Sequence, residues 1–180
     1  MARALFGLFG WRAVGRLPDA SRFIVLGAPH TSNWDLALAL FASAIWSMRL
    51  RWVGKDSLFE PPFGFVLKWL GGVPVARGIR SGAVVALVEL IRSEEEFALC
   101  IAPEGTRRKV DHWKSGFYQI ALAADVPIVL GFCDYSSRTL GLGPAIRLTG
   151  EVEADMARIA EFYADKRGKY PENEGVIRLQ

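Results

Sequence analysis

His30 and Asp35 stand in the stretch APHTSNWDLALALF, residues 28 to 41, where a polar knot joins the apolar run 23–28 to a second one, 36–48. An imidazole beside a carboxylate has the makings of a general base. The carboxylate fixes the tautomer and stabilises the imidazolium, which leaves the other ring nitrogen to take a proton. Inside one helix, residues five apart lie about 140° apart around the axis and could not meet. If His30 ends a strand and Asp35 lies in the first turn of the following helix, the bend between them brings ring and carboxylate together. A histidine near an N-cap is also often structural, and Asp35 would favour a helix N-terminus on electrostatic grounds alone.

The stretch CIAPEGTRRK, residues 100 to 109, repeats the pattern of a buried run followed by an abrupt polar turn. Gly105 lets the backbone pass close to a ligand, and Arg107 offers a planar fork suited to phosphate. Glu104 and Arg107 could equally form a solvated charge pair in an ordinary turn. The two turns together argue for a site. Each follows an apolar strand, and in a parallel sheet both would open onto the same edge, where open α/β sheets place their ligands.

The elements that must position these residues alternate along the chain. The run 23–28 is apolar without alternation, as for a strand covered on both faces. A helix follows to about Met48, with Thr31, Ser32 or Asn33 as N-cap. A short strand over 50–53 ends at Gly54, and a helix over 63–70 is entered through Pro61-Pro62 and stopped by Gly71-Gly72. A strand over 73–76 precedes a helix capped by Ser81 that runs through Ile91. The second half gives a strand over 97–102, a helix over 115–124 and a strand over 126–132. A hairpin or edge strands then extend to Thr149, followed by an amphipathic helix over 153–167 and a polar tail after Pro171. This order predicts one α/β domain over residues 1–180, with a mixed, mostly parallel central sheet flanked by helices. The motifs fall in a core over 22–132, behind an N-terminal segment over 1–21.

Composition narrows the function classes. Half of the 180 residues are apolar (51%) and mean hydropathy is +0.20, yet the longest uncharged run, 36–48, has 13 residues. A spanning helix needs roughly 20, so contact with a membrane surface is favoured over a span. Residues 1–18 mix Arg3, Arg12 and Arg16 with Leu5, Phe6, Leu8, Phe9 and Trp11 and carry no acid, without the apolar core and cleavage site of a signal peptide. Two readings stand for them: an interfacial helix, and a helix packed on the domain. Cys100 and Cys133 lie in apolar runs without CxxC spacing, as reduced core thiols of a cytosolic protein would. A net charge of +3 and a pI near 9.0 suit an anionic small ligand better than nucleic acid.

Taken in order, these segments resemble the glycerolipid acyltransferases related to bacterial 1-acylglycerol-3-phosphate acyltransferase. The first signature of that family, histidine and aspartate separated by four residues, is matched by His30 and Asp35. The second, a Gly-rich segment leading to a strand and an arginine, is matched by GGVPVARG with Arg77. Pro103 to Arg107 supplies Pro-Glu-Gly-Thr-Arg, and Val126-Pro127-Ile128 supplies the fourth. The helix in WKSGFYQIALAADVPI places Lys114 at the family's lysine. Pro29 stands where many members have asparagine, and Ala76 where an aspartate is frequent.

The resemblance implies that His30 is the base and Asp35 its partner. It implies an acceptor site of Arg77, Glu104, Gly105, Thr106, Arg107 and Lys114, with Arg77 and Arg107 on the acceptor's phosphate. The expected reaction moves a fatty acyl group from acyl-CoA or acyl-ACP, the acyl carrier protein thioester, to a lysophospholipid or glycerol-phosphate-type hydroxyl. There is no Gly-x-Ser-x-Gly elbow to support a serine acyl-enzyme. No metal or other cofactor is expected, because a thiolate leaves readily. The expected location is cytoplasmic, peripheral on the inner face of the cell membrane. Two other readings remain: a metal-dependent hydrolase built on His30, Asp35, Glu104 and His112, and a non-catalytic lipid-binding module on the same fold.

Overall fold

Continuous apolar runs become the middle of a seven-stranded sheet. The computed structural model describes residues 6–75 and 80–179. The strands are β1 (Arg12–Val14), β2 (Arg22–Ala28), β3 (Leu50–Lys55), β4 (Gly72–Val75), β5 (Phe97–Ile101), β6 (Ile128–Asp134) and β7 (Thr139–Ile146). Their spatial order is β1-β7-β6-β2-β5-β3-β4. The five strands from β6 to β4 run parallel, while β7 is antiparallel to β6 and β1 runs parallel to β7. This is the mixed, mostly parallel α/β sheet that the sequence predicts.

Among the described residues, five helices flank it: α1 (Trp34–Ser43), α2 (Gly64–Trp69), α3 (Arg80–Ser93), α4 (Gly116–Ala124) and α5 (Val152–Tyr163). Alternate residues of each strand face opposite layers. Ile24, Leu26, Leu99 and Leu130 pack against α3, α4 and α5 in the largest core cluster. Phe23, Val25, Ala98 and Val129 meet a smaller cluster that includes Ala39 of α1. The chain leaves β2 toward β3 on one side and returns through β5 to β6 on the other. The carboxyl end of β2 is therefore a topological switch point.

Several element ends differ from expectation for identifiable reasons. α1 stops at Ser43, short of Met48. Ser47 adopts φ 52°, and Met48 N–H returns to the Ser43 carbonyl at 3.0 Å, a helix-ending motif usually signalled by glycine. Asp125 plays the same part after α4, with φ 52°, so β6 starts two residues later than expected. β3 continues through Gly54 because its pairing with β4 extends to Lys55 and Val75. α5 ends at Tyr163, well before residue 167. Arg167 N–H instead reaches the Asp134 carboxylate at 3.2 Å, and Tyr135 N–H reaches the Arg167 carbonyl at 2.9 Å.

Residues 1–5 lie outside the described residues; from residue 6 the N-terminal segment packs on the domain, as one of the two readings expects, but not as one continuous helix. After a helical turn over 6–8, Gly10 breaks the chain direction with φ 73° and residues 12–14 form the edge strand β1. Phe6 is buried with Ala42, Cys133 and Leu140, and Trp11 packs beside them. Leu8 and Phe9 remain exposed. Both cysteines are free thiols.

Candidate active site

The parallel pairing of β2 with β5 fixes the geometry. Arg22 to Leu26 align with Phe97 to Ile101, so the two polar turns that follow open side by side on one sheet edge. His30 lies just beyond β2 and Asp35 in the first turn of α1. The bend between them brings His30 Nδ1 to 3.0 Å from Asp35 Oδ2. A carboxylate only accepts, so a neutral His30 ring would carry its proton on Nδ1 and its lone pair on Nε2. The imidazole is about one-fifth exposed, at 21%, while the carboxylate is at 9%. The pair is sheltered, with the ring reachable from solvent.

Of the expected cap residues, Ser32 accepts the first helical N–H, that of Trp34, on its Oγ at 3.2 Å. Asn33 occupies the N-cap without a cap hydrogen bond. Asp35 itself serves the turn, accepting Thr31 N–H at 3.0 Å and Ser32 N–H at 2.9 Å on Oδ2. Its other oxygen, Oδ1, accepts the Tyr135 hydroxyl at 2.8 Å. The carboxylate that would favour a helix N-terminus thus does so while also holding the imidazole.

The second turn departs from a solvated charge pair. Glu104 is buried, and its Oε1 accepts the backbone N–H of His30 at 3.0 Å. Its Oε2 has no hydrogen-bond partner among the described residues, and Glu104 lines a cavity of about 40 Å³ with Trp113, Tyr163, Lys166 and Glu174. Burial is the main force on this carboxyl and raises its pKa above the usual range, outweighing the His30 N–H bond. Arg107 is exposed and makes no ion pair among the described residues. Glu104 therefore supports the histidine's backbone.

Gly105 has φ +63°, and a Cβ there would lie 2.7 Å from Lys114 Cε and Nζ. The positive φ favours glycine here, and the end of the Lys114 side chain lies over the turn. Lys114 N–H also donates to the Pro103 carbonyl at 2.9 Å. Thr106 Oγ accepts Arg108 N–H at 3.4 Å. Arg77 lies outside the described residues. Among the described residues no group of three or more His, Cys, Asp or Glu side chains is arranged to hold a metal ion, so His112 does not complete a ligand set with His30, Asp35 and Glu104.

Residues 14–129 match the family model described as Acyltransferase. This chain belongs to the acyltransferase family. It is also 31% identical over 148 residues to the 1-acyl-sn-glycerol-3-phosphate acyltransferase of Haemophilus influenzae, an alignment covering 77% of this chain and 60% of the relative. The chain therefore spans somewhat less than two thirds of that relative's length. The acyltransferase match contains both polar turns and ends within β6.

Tyr135 lies beyond the matched segment, and sequence reasoning missed it. The only signal available was its place just after a strand that could neighbour β2. The expected end of that strand at Phe132 hid even this.

Proposed function

We propose that this chain transfers a fatty acyl group from an acyl thioester, acyl-CoA or acyl-ACP, to the hydroxyl of a phosphate-bearing lysolipid or glycerol-phosphate-type acceptor. The observation that carries this reading is the His30–Asp35 contact of 3.0 Å at the carboxyl edge of β2, with the second ring nitrogen left to face a substrate. The name of the Haemophilus relative points to the same acceptor class.

In this reaction His30 Nε2 takes the proton of the acceptor hydroxyl as its oxygen attacks the thioester carbonyl carbon. The new C–O bond forms, the carbonyl electrons move onto oxygen, and their return expels the thiolate. The imidazolium then gives its proton to sulfur, so an ester and a free thiol leave and the enzyme is unchanged. Asp35 holds the ring in the tautomer that leaves Nε2 basic. Arg107 and Arg77 bind the acceptor phosphate, with Thr106 and Lys114 completing the acceptor side. Gly105 allows the close approach.

The test is an acceptor screen with acyl-CoA and free-thiol detection, comparing lysophosphatidic acid, glycerol 3-phosphate and lysolipids without phosphate. Thiol release that requires a phosphate-bearing acceptor is expected. Equal use of an acceptor lacking phosphate overturns the acceptor assignment, and thioester hydrolysis without acceptor overturns transfer.

The protein works as a peripheral protein on the cytoplasmic face of a membrane. No helix among the described residues is long and apolar enough to cross a bilayer. Trp69 at 82%, Phe63 at 72% and Phe65 at 72% exposure give an aromatic surface on and beside α2 suited to an interface. Flotation with anionic vesicles should fall when Phe63 and Trp69 are replaced by serine. Unchanged flotation would move the contact away from α2.

A further inference from the structure

We propose that Tyr135 is a positioning residue for the His30–Asp35 pair, fixing the carboxylate through the oxygen that the histidine does not use. The proposal rests on the reading of His30 as the base. Asp35 Oδ2 already takes the imidazole at 3.0 Å and the N–H groups of Thr31 and Ser32 at 3.0 and 2.9 Å. The terminal torsion of an aspartate is broad, so contacts to a single oxygen leave the carboxylate plane loosely defined. The Tyr135 hydroxyl at 2.8 Å from Oδ1 supplies the second point that defines it.

Tyr135 is itself held from three directions. It directly follows β6, the strand beside β2. Its N–H donates to the Arg167 carbonyl at 2.9 Å. Trp11, just before β1, meets its ring edge-on, with centroids 5.0 Å apart and planes at 89°. Asp134, next to it, is tied down by the hydroxyls of Ser136 and Ser137 and by Arg167 N–H. A residue about 20 positions upstream of the motif, Trp11, therefore bears on the pair through one ring.

The hydroxyl also changes the charge the imidazole meets. Its dipole offsets part of the Asp35 charge, and its removal would let the imidazole keep its proton to higher pH. Among the described residues, other titratable or charged groups near the pair include Glu104 after β5, Cys133 and Asp134 on β6, and Lys166 after α5, while Lys169 lies over the Trp34 ring. Burial, reinforced by Asp35, pushes both the Tyr135 hydroxyl and the Cys133 thiol well up, so both stay neutral and Tyr135 stays a donor.

Tyr135→Phe keeps the ring against Trp11 and removes only the hydroxyl. We expect kcat to fall roughly tenfold, the low end for a hydrogen bond to a charged group, with both KM values within about twofold of wild type. The acid limb of kcat/KM should move up by about half a pH unit. Trp11→Leu should produce smaller changes of the same sign. In an Asp35→Asn background, Tyr135→Phe should add little, because the two act through one contact. Wild-type kcat and pH profile for Tyr135→Phe, alongside an inactive His30→Ala, would overturn the role of Tyr135 while leaving the base in place. Full activity in His30→Ala would remove the base, and the role of Tyr135 with it. A lowered kcat with an unmoved pH profile and full additivity with Asp35→Asn would mark Tyr135 as packing only and overturn the proposal.

Discussion

The two polar turns end neighbouring parallel strands and share one edge of the sheet, yet they arrange their charged groups in opposite ways. In the turn after β2, histidine and carboxylate face each other, and the carboxylate is satisfied by the turn's own N–H groups. In the turn after β5, the charges part: Glu104 goes inward to the His30 backbone, and Arg107 goes outward to solvent. A site that moves a proton needs its partners pre-paired, so that little reorganises during reaction. A site that captures an anion needs its guanidinium unpaired until the ligand arrives. The second turn also braces the first, since Glu104 accepts the backbone N–H of His30, the residue proposed as the base.

The comparison predicts different failures when each turn is altered. The largest effect is expected in the first. His30→Ala should lower kcat by about 10²–10⁴, the scale of general-base catalysis, with an unchanged melting temperature because a part-exposed ring contributes little packing. Retention of more than about a tenth of wild-type turnover would show that proton transfer does not pass through His30. Asp35→Asn should cost less, since the ring remains but loses its fixed tautomer. A loss as large as that of His30→Ala would make the carboxylate more than an orienting group.

In the second turn the effect should appear in binding. Arg107→Ala should raise the acceptor KM by roughly tenfold, as expected for a lost charge-assisted hydrogen bond, and leave the donor KM near wild type. Arg107→Lys should restore part of this, because a point charge cannot reproduce a bidentate fork. Equal rises for donor and acceptor would erase the distinction between the two turns.

The smallest effect should be on stability, at Glu104. Its folded-state pKa is raised by burial, so the folded protein holds this proton more tightly than the unfolded chain does. Its contribution is therefore fully present below the ordinary carboxylate range and is lost as pH rises through the raised value. Glu104→Gln keeps an oxygen for the His30 N–H and removes the ionisation, so its melting temperature should fall less than wild type's over that window. Glu104→Ala should destabilise by about 1–3 kcal/mol below that window, because it leaves the His30 N–H without its partner, and the difference from wild type should shrink as pH rises through it. Parallel wild-type and Glu104→Gln curves would mean that Glu104 ionises as freely folded as unfolded.

Local patterns carried much of this molecule. Apolar runs without alternation marked β2, β5 and β6 as central strands, since only a strand covered on both faces can lack a polar side. The spacing of His30 and Asp35 already required a strand-to-helix bend, because no helix could join them. The adjacency of the two turns followed once the sheet was read as parallel.

Tertiary structure decided what depends on groups distant in sequence. Nothing local distinguishes Glu104 aimed inward from Glu104 paired with Arg107. The choice was made by the His30 N–H, which arrives from another strand. The end of α1 was decided by Ser47 in a conformation that glycine usually announces. The N-terminal segment became an edge strand because β7 offered an unpaired side and Phe6 a place in the core. The Tyr135 contact joins residues 100 positions apart. The sequence determined which residues could do chemistry, because residue type and short-range spacing are local properties. Only the folded sheet decided which of them touch, because strand order is settled by the burial of both faces at once.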